Sequence, residues 1–128
     1  MPLPDSLRGI FFDFRWDTER LWALPTPVTH VRTSALSWHL DLPIWSTQPP
    51  RALFDLTPRA VLADLAAFPV HASRIRHADL TFPLELFQNG ARWVIADGYH
   101  RLAQMFLAGS STAAVRLHPP ESVRAVSL

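Results

Sequence analysis

The densest group of chemically capable side chains in this sequence is the segment Asp97-Gly98-Tyr99-His100-Arg101, which follows an apolar run at 93–96. The surrounding pattern predicts that a strand ends there and a helix begins. Free backbone amides and the positive end of the helix dipole attract anions at such a junction, and an arginine can donate a forked pair of hydrogen bonds. The segment therefore predicts a phosphate site contacted by Gly98, Tyr99, His100 and Arg101.

Asp97 would repel a bare phosphate, so a functional interpretation gives it a different role. It would bind magnesium or accept a proton from a hydroxyl nucleophile, and we take Asp97 and His100 as the catalytic candidates. The ligand class that follows is a nucleotide with magnesium, or another small molecule that bears phosphate. Arg101 lies in the predicted first turn, where a positive charge is unfavourable against the dipole unless an anion or a carboxylate is near.

A purely structural interpretation accounts for the same five residues. Asp97 would cap the helix, Gly98 would make the turn, His100 would bond a backbone carbonyl and Arg101 would be a solvated or internally paired charge. Spacing alone favours this alternative, because short polar clusters are common where helices begin.

Composition limits the remaining chemistry. The chain has 128 residues, 48% of them hydrophobic and 18% charged, which predicts one folded domain. All 12 basic residues are arginine and cysteine is absent, which excludes Schiff bases, a Walker lysine and thiolate chemistry. A formal net charge of +1 makes nucleic acid an unlikely partner. Neither a leader nor a membrane-spanning stretch is evident, so we expect a cytoplasmic protein without a membrane partner.

The apolar pattern predicts an α+β fold with a small mixed sheet, packed helices and an added N-terminal β-hairpin over residues 1–25. The core would span residues 26–118, and the tail at 119–128 would be peripheral. The predicted elements are a strand at 28–32, a short helix from Ser34, a loop at 41–51, a helix from Thr57-Pro58 to Pro69, a helical piece at 71–78, a hairpin turning at Asn89-Gly90, a helix at 100–108 and a strand at 113–117.

The run from Leu84 to Leu117, with its Asp97-Gly98-Tyr99-His100-Arg101-Leu102-Ala103 segment, resembles the core of the ParB/sulfiredoxin superfamily. The resemblance implies that the segment binds nucleotide phosphates and that Asp97 is similar to the acidic residue of free serine kinases, which carry Asp-Gly-His-His-Arg. Residues 36–45 and 78–83 also resemble parts of small stand-alone ParB-like proteins. The second of these parts adds Asp79 and Thr81 to the candidate site.

The departures from that superfamily restrict what the resemblance implies. Tyr99 stands where sulfiredoxins have their reactive cysteine, so repair of sulfinic acid is excluded. Partition proteins have an arginine-rich box and a following helix-turn-helix domain, and neither is found here. We therefore do not expect centromere binding.

The sequence thus predicts a nucleotide-binding or phosphate-binding domain that could act as a phosphotransferase or NTP hydrolase. The alternative is a non-catalytic module that contacts a protein partner through the proline-rich loop at 42–51. A second carboxylate opposite Asp97 would distinguish the enzyme from the non-catalytic module, and Asp41 is the candidate for it. A metal site built from His39, Asp41, His71 and His77, and a base-stacking wall of Trp38, Trp45 and Trp93, are weaker interpretations than ordinary surface or core positions.

Overall fold

Four strands form a single mixed sheet in the computed structural model, which describes residues 4–12 and 14–128. The sheet order is β1-β4-β2-β3, with β4 antiparallel to β1 and parallel to β2, and with β2 and β3 joined as an antiparallel hairpin. The strands are β1 (Val28–Arg32), β2 (Leu84–Asn89), β3 (Arg92–Asp97) and β4 (Thr112–His118).

Helices cover both faces of this sheet, so the predicted α+β class is confirmed. The α-helices are α1 (Thr18–Ala23), α2 (Pro58–Ala63), α3 (Pro69–Arg76), α4 (Tyr99–Leu107) and α5 (Ser122–Val126). Three 3₁₀ helices lie at Asp5–Leu7, Thr33–Asp41 and Leu65–Ala67. No helix within 4–12 and 14–128 is long and apolar enough to cross a membrane.

Alternation along β2 divides the core between the two faces. Leu84 and Leu86 are fully buried on the face that carries α2, α3 and α4, whereas Phe87 belongs to a second cluster with Leu21 of α1 and Val126 of α5. Successive side chains of a strand point to opposite faces, which is why one strand supplies both clusters. The site lies where β3 runs into α4, at the edge of the larger cluster.

Local signals at two turns gave correct predictions. The Thr57 side chain accepts a hydrogen bond from the Ala60 amide at 3.1 Å, which caps α2 in front of Pro58. Gly90 has a φ of +63° in the β2–β3 turn, as the Asn-Gly pair predicts.

The predicted N-terminal hairpin is wrong. Residues 18–23 form α1 instead, and its N-cap Asp17 accepts from the Arg20 amide at 3.0 Å. The aromatic residues that suggested a strand pack as a cluster, with the rings of Phe12 and Phe14 at 5.8 and 5.6 Å from Phe87. Burial of large rings produced the apparent alternation, and Asp13 of that expected strand lies outside the described residues.

Two further expectations are corrected. Pro69 begins α3 rather than ending the preceding helix, because its fixed φ suits a first helical position. The tail is not peripheral: α5 buries Val126 completely, and the Val126 carbonyl accepts from the Asp17 amide at 2.7 Å. The helix expected from Ser34 exists, but it is 3₁₀ in geometry.

Candidate functional site

All five residues of the Asp97–Arg101 segment line one open cleft of about 650 Å³. Pockets that hold small organic ligands have volumes of about 300–1,000 Å³, so this cleft is of a suitable size. Its remaining walls come from distant parts of the chain and consist of Phe11, Trp22, Ile44, Trp45, Phe54, Arg74, His77, Ala78, Asp79, Phe82 and Ala96.

Gly98 makes the turn between β3 and α4 with a φ of +121°, a conformation that L side chains rarely adopt. A Cβ atom built there would lie 2.6 Å from Cδ2 of Leu84. Glycine therefore serves both the backbone angle and the close packing of the turn against β2.

The first turn of α4 offers amides to the cleft. These N–H groups have no intrahelical acceptor. The Gly98 N-cap supplies no side chain, and among the described residues no other side chain caps the helix. Asp97 does not cap it either, which removes one part of the structural interpretation of this segment. The helix start therefore retains donors for an anion.

Asp97 and Arg101 pair with one another. Nη2 of Arg101 lies 2.9 Å from Oδ2 of Asp97, and Nη1 of Arg101 donates to the Pro83 carbonyl. The same Oδ2 accepts from the indole nitrogen of Trp22 at 3.0 Å. The Arg101 side chain is only 13% exposed, so much of its hydrogen-bonding capacity is directed into the protein.

His100 stacks on Trp45 with ring centroids 4.2 Å apart, and its Nε2 lies 3.2 Å from Nδ1 of His71. Nε2 of His71 lies 2.8 Å from the Ser46 carbonyl, which can only accept, so this nitrogen carries hydrogen. A neutral His71 then accepts from His100, which leaves Nδ1 of His100 with its lone pair. Burial is the main reason that the pKa of His100 is lowered to about 4, and the nearby positive charge of Arg74 contributes. His100 therefore enters the site as an uncharged base.

Tyr99 contributes to the site differently from its neighbours. Its ring is 9% exposed within the larger core cluster and makes an edge contact with His39. No described residue bonds its buried hydroxyl, and burial raises the pKa of that group. The backbone amide of Tyr99, rather than its phenol, is the group placed at the helix start.

The second carboxylate on the cleft is Asp79. Its Oδ1 accepts from the amide and the hydroxyl of Thr81 at 2.9 and 2.7 Å, which lowers the pKa of Asp79. Thr81 thus orients Asp79 and does not itself line the cleft. Asp41, the candidate from sequence, is instead bound to Arg59 at 2.6 Å and lies away from the cleft.

Asp97 and Asp79 both line the cleft, and carboxylate oxygens are ligands that magnesium takes from proteins. Magnesium in nucleotide sites takes one or two carboxylates and completes its shell with water and phosphate. Oδ1 of Asp97 and Oδ2 of Asp79 accept no hydrogen bond from the described part of the chain. Within that part, no three His, Cys, Asp or Glu side chains are grouped so as to hold a metal on their own.

Trp22, Arg74 and Phe82 also line the cleft, although no pattern in the sequence predicts a role for them in the site. Arg74 is exposed and makes no ion pair with any residue in 4–12 or 14–128. Only the tertiary fold brings these residues to α4, so no local pattern could have found them. Among the tryptophans predicted as core or stacking wall, Trp45 is buried and forms part of the cleft floor.

Comparison of the chain with protein-family models, with curated proteins and with solved structures returned no match. The resemblance to the ParB/sulfiredoxin superfamily accordingly stays a prediction that rests on the quoted residues.

Proposed function

We propose that this protein binds a nucleotide, or a closely related phosphate-bearing small molecule, with the phosphates at the start of α4. The observation that carries the proposal is the uncapped first turn of α4, which opens on a cleft of about 650 Å³. Backbone amides bind anions without bringing a fixed charge that must be desolvated in the free protein.

The cationic contact is assigned to Arg74 rather than to Arg101. Arg74 lines the cleft and acts electrostatically on His100, so it lies near the helix start. Arg101 is already engaged by Asp97 and the Pro83 carbonyl. An arginine without a protein carboxylate gains more from an incoming phosphate than one that must first leave its partner.

Turnover is the second part of the proposal. Asp97 and Asp79 would hold magnesium, which would screen the phosphate charge and orient the transferred group. His100, uncharged because burial lowers its pKa to about 4, would accept the proton of a hydroxyl or water nucleophile through Nδ1. Phosphotransfer and NTP hydrolysis use this same arrangement and differ in the acceptor.

Calorimetric titration with ATP, ADP and CTP in the presence of magnesium tests the proposal. Arg74→Ala should weaken binding about ten- to a hundredfold, as expected for a charge-assisted hydrogen bond worth about 1.5–3 kcal/mol. Arg76→Ala is the matched control, because Arg76 is also exposed on α3 but does not line the cleft. Absence of binding by all three nucleotides at millimolar concentration would refute the proposal.

The alternative of a protein-interaction module receives no separate support from the loop at 42–51. Ile44 and Trp45 of this loop line the cleft, and Trp45 is 7% exposed beneath His100. The loop therefore forms a wall of the same site.

A further inference from the structure

Two exposed aromatic side chains lie beside one another on the wall of the cleft. Trp22 of α1 is 55% exposed and Phe82, in the segment before β2, is 56% exposed. Their ring centroids are 6.5 Å apart with the planes inclined by 29°. Large apolar surfaces left in water cost free energy, so a pair assembled from such distant parts of the chain requires an explanation.

The indole of Trp22 is held in place from two directions. Its Nε1 donates to Oδ2 of Asp97 at 3.0 Å, which ties the ring to the same carboxylate that pairs with Arg101. The end of α1 is fastened by Arg116, whose guanidinium donates to the carbonyls of Leu21 and Leu24 at 2.8 and 2.6 Å. An exposed side chain is usually mobile, whereas this one is presented in a fixed orientation. Such preorganisation lowers the entropy cost of binding a ligand.

We propose that Trp22 and Phe82 together bind the aromatic base of the ligand, which makes it a nucleoside phosphate with a preference for purines. This inference rests on the proposed function and specifies its ligand. Every base has a flat π face that stacks on aromatic side chains, and a purine covers more of such a surface than a pyrimidine. The amides of α4 and the Arg74 guanidinium on the same cleft complement the phosphates.

The test compares magnesium–ATP with magnesium–triphosphate, which has the phosphates but no base, by calorimetry. Trp22→Ala and Phe82→Ala should each weaken ATP binding about five- to a hundredfold, the range measured for base stacking on aromatic residues. The affinity of Phe82→Ala for triphosphate should stay at the wild-type value, because the Phe82 ring bonds neither carboxylate of the cleft. CTP should bind the wild-type protein more weakly than ATP.

Matched variants separate stacking from the other contact of Trp22. Trp22→Phe keeps an aromatic face but loses the indole donor to Asp97, so it should retain most of the ATP affinity. Val70→Ala removes an exposed apolar side chain, 45% accessible, away from the cleft, and should change nothing. The Phe82 ring makes no hydrogen bond. Phe82→Ala therefore still measures the contribution of stacking if Trp22→Ala does not fold.

Four outcomes would overturn the inference. Wild-type affinity for ATP in Phe82→Ala would do so, as would equal losses of ATP and triphosphate binding, which would place the effect at the phosphates. If the wild-type protein bound triphosphate as tightly as ATP, the stacking of the base would be refuted and the proposed function would stand. A wild-type protein that binds neither ligand would overturn both proposals.

Discussion

Arg101 shows how a single residue can fit two roles until its partners are known. Its place in the first turn of α4 required a nearby negative charge, and the sequence allowed either a ligand phosphate or an internal carboxylate. The structure supplies the carboxylate, with Nη2 of Arg101 at 2.9 Å from Oδ2 of Asp97. The local conflict between an arginine and the helix dipole is thereby relieved within the protein.

Arg101→Ala should therefore destabilise the ligand-free protein by about 1.5–3 kcal/mol, as expected for lost charge-assisted hydrogen bonds. Nucleotide affinity should fall less than it does in Arg74→Ala. Urea unfolding and calorimetry on the two variants measure both quantities. An unchanged free energy of unfolding together with lost affinity would show that Arg101 leaves Asp97 to bind phosphate.

Gly98→Val combines two costs at one residue. A β-carbon is strained at a φ of +121° and would lie 2.6 Å from Cδ2 of Leu84. We expect the free energy of unfolding to fall by about 1–3 kcal/mol and nucleotide binding to weaken, because the turn must shift. Gly109→Ala is the control, since its φ is +73° but nothing lies within 4 Å of the added carbon. Equal losses in the two variants would mean that the contact with Leu84 is unimportant.

Among the elements, those defined by local chemistry were predictable and those defined by distant packing were not. Asn89-Gly90 and Thr57-Pro58 specify a turn and a helix start through their own backbone preferences. Ile10, Phe12, Phe14 and Trp16 alternate as the side chains of a strand do, yet the rings of Phe12 and Phe14 pack against Phe87 on β2. The Asp97–Arg101 segment was predictable because its own residues specify the turn and the helix start. Trp22 and Phe82 come close to this segment only when α1 packs against the rest of the fold.

The docking of α1 depends on a buried charge network on the far face of the sheet. Glu85 is 2% exposed and accepts from Nε of Arg116 at 2.6 Å and from Nε2 of His118 at 2.8 Å. Arg116 in turn donates to the carbonyls that end α1. The network thus connects the sheet to the helix that carries Trp22.

Glu85→Gln should destabilise the protein by about 3–5 kcal/mol, because it leaves the buried Arg116 charge without a carboxylate. Asp41→Asn is the matched control: it breaks the Arg59 pair, whose side chains are 55% and 61% exposed, and should lower the free energy of unfolding far less. Chemical denaturation measures both changes. Similar costs for the two variants would contradict the role assigned to the network.

The stability of the whole molecule should depend on pH through His39, which is buried, and His100, which is half-buried. Burial lowers the pKa of both His39 and His100 from 6.5 to about 4. Between these values the unfolded chain binds protons that the folded chain does not, so the stability present above pH 6.5 is lost as the pH falls towards 4. Each histidine accounts for up to about 3 kcal/mol of this loss.

His39→Gln should reduce the dependence of stability on pH, because glutamine does not titrate. Its side-chain amide can still form hydrogen bonds near the Leu36 carbonyl and the Ile95 amide, which the His39 ring contacts. Free energies of unfolding at pH 7 and at pH 4.5 should differ less in the variant than in the wild type. Carboxylates whose pKa is lowered in the folded protein, such as Asp79, contribute stability that is lost only as the pH falls below their ordinary pKa of 3.8. They therefore do not account for a change in stability between pH 7 and 4.5. A wild-type stability that is constant between pH 7 and 4.5 would contradict the assignment.

The central claim is that nucleotide phosphates bind at the start of α4, and a nitrogen–proton correlation NMR titration with magnesium–ATP tests it most directly. We expect the largest shifts on the amides of Gly98, Tyr99 and His100 and on the Trp22 indole N–H, and we expect Arg74→Ala to move the same titration to higher concentration. Saturable shifts elsewhere with these four signals unmoved, or no shifts at millimolar ATP, would contradict it.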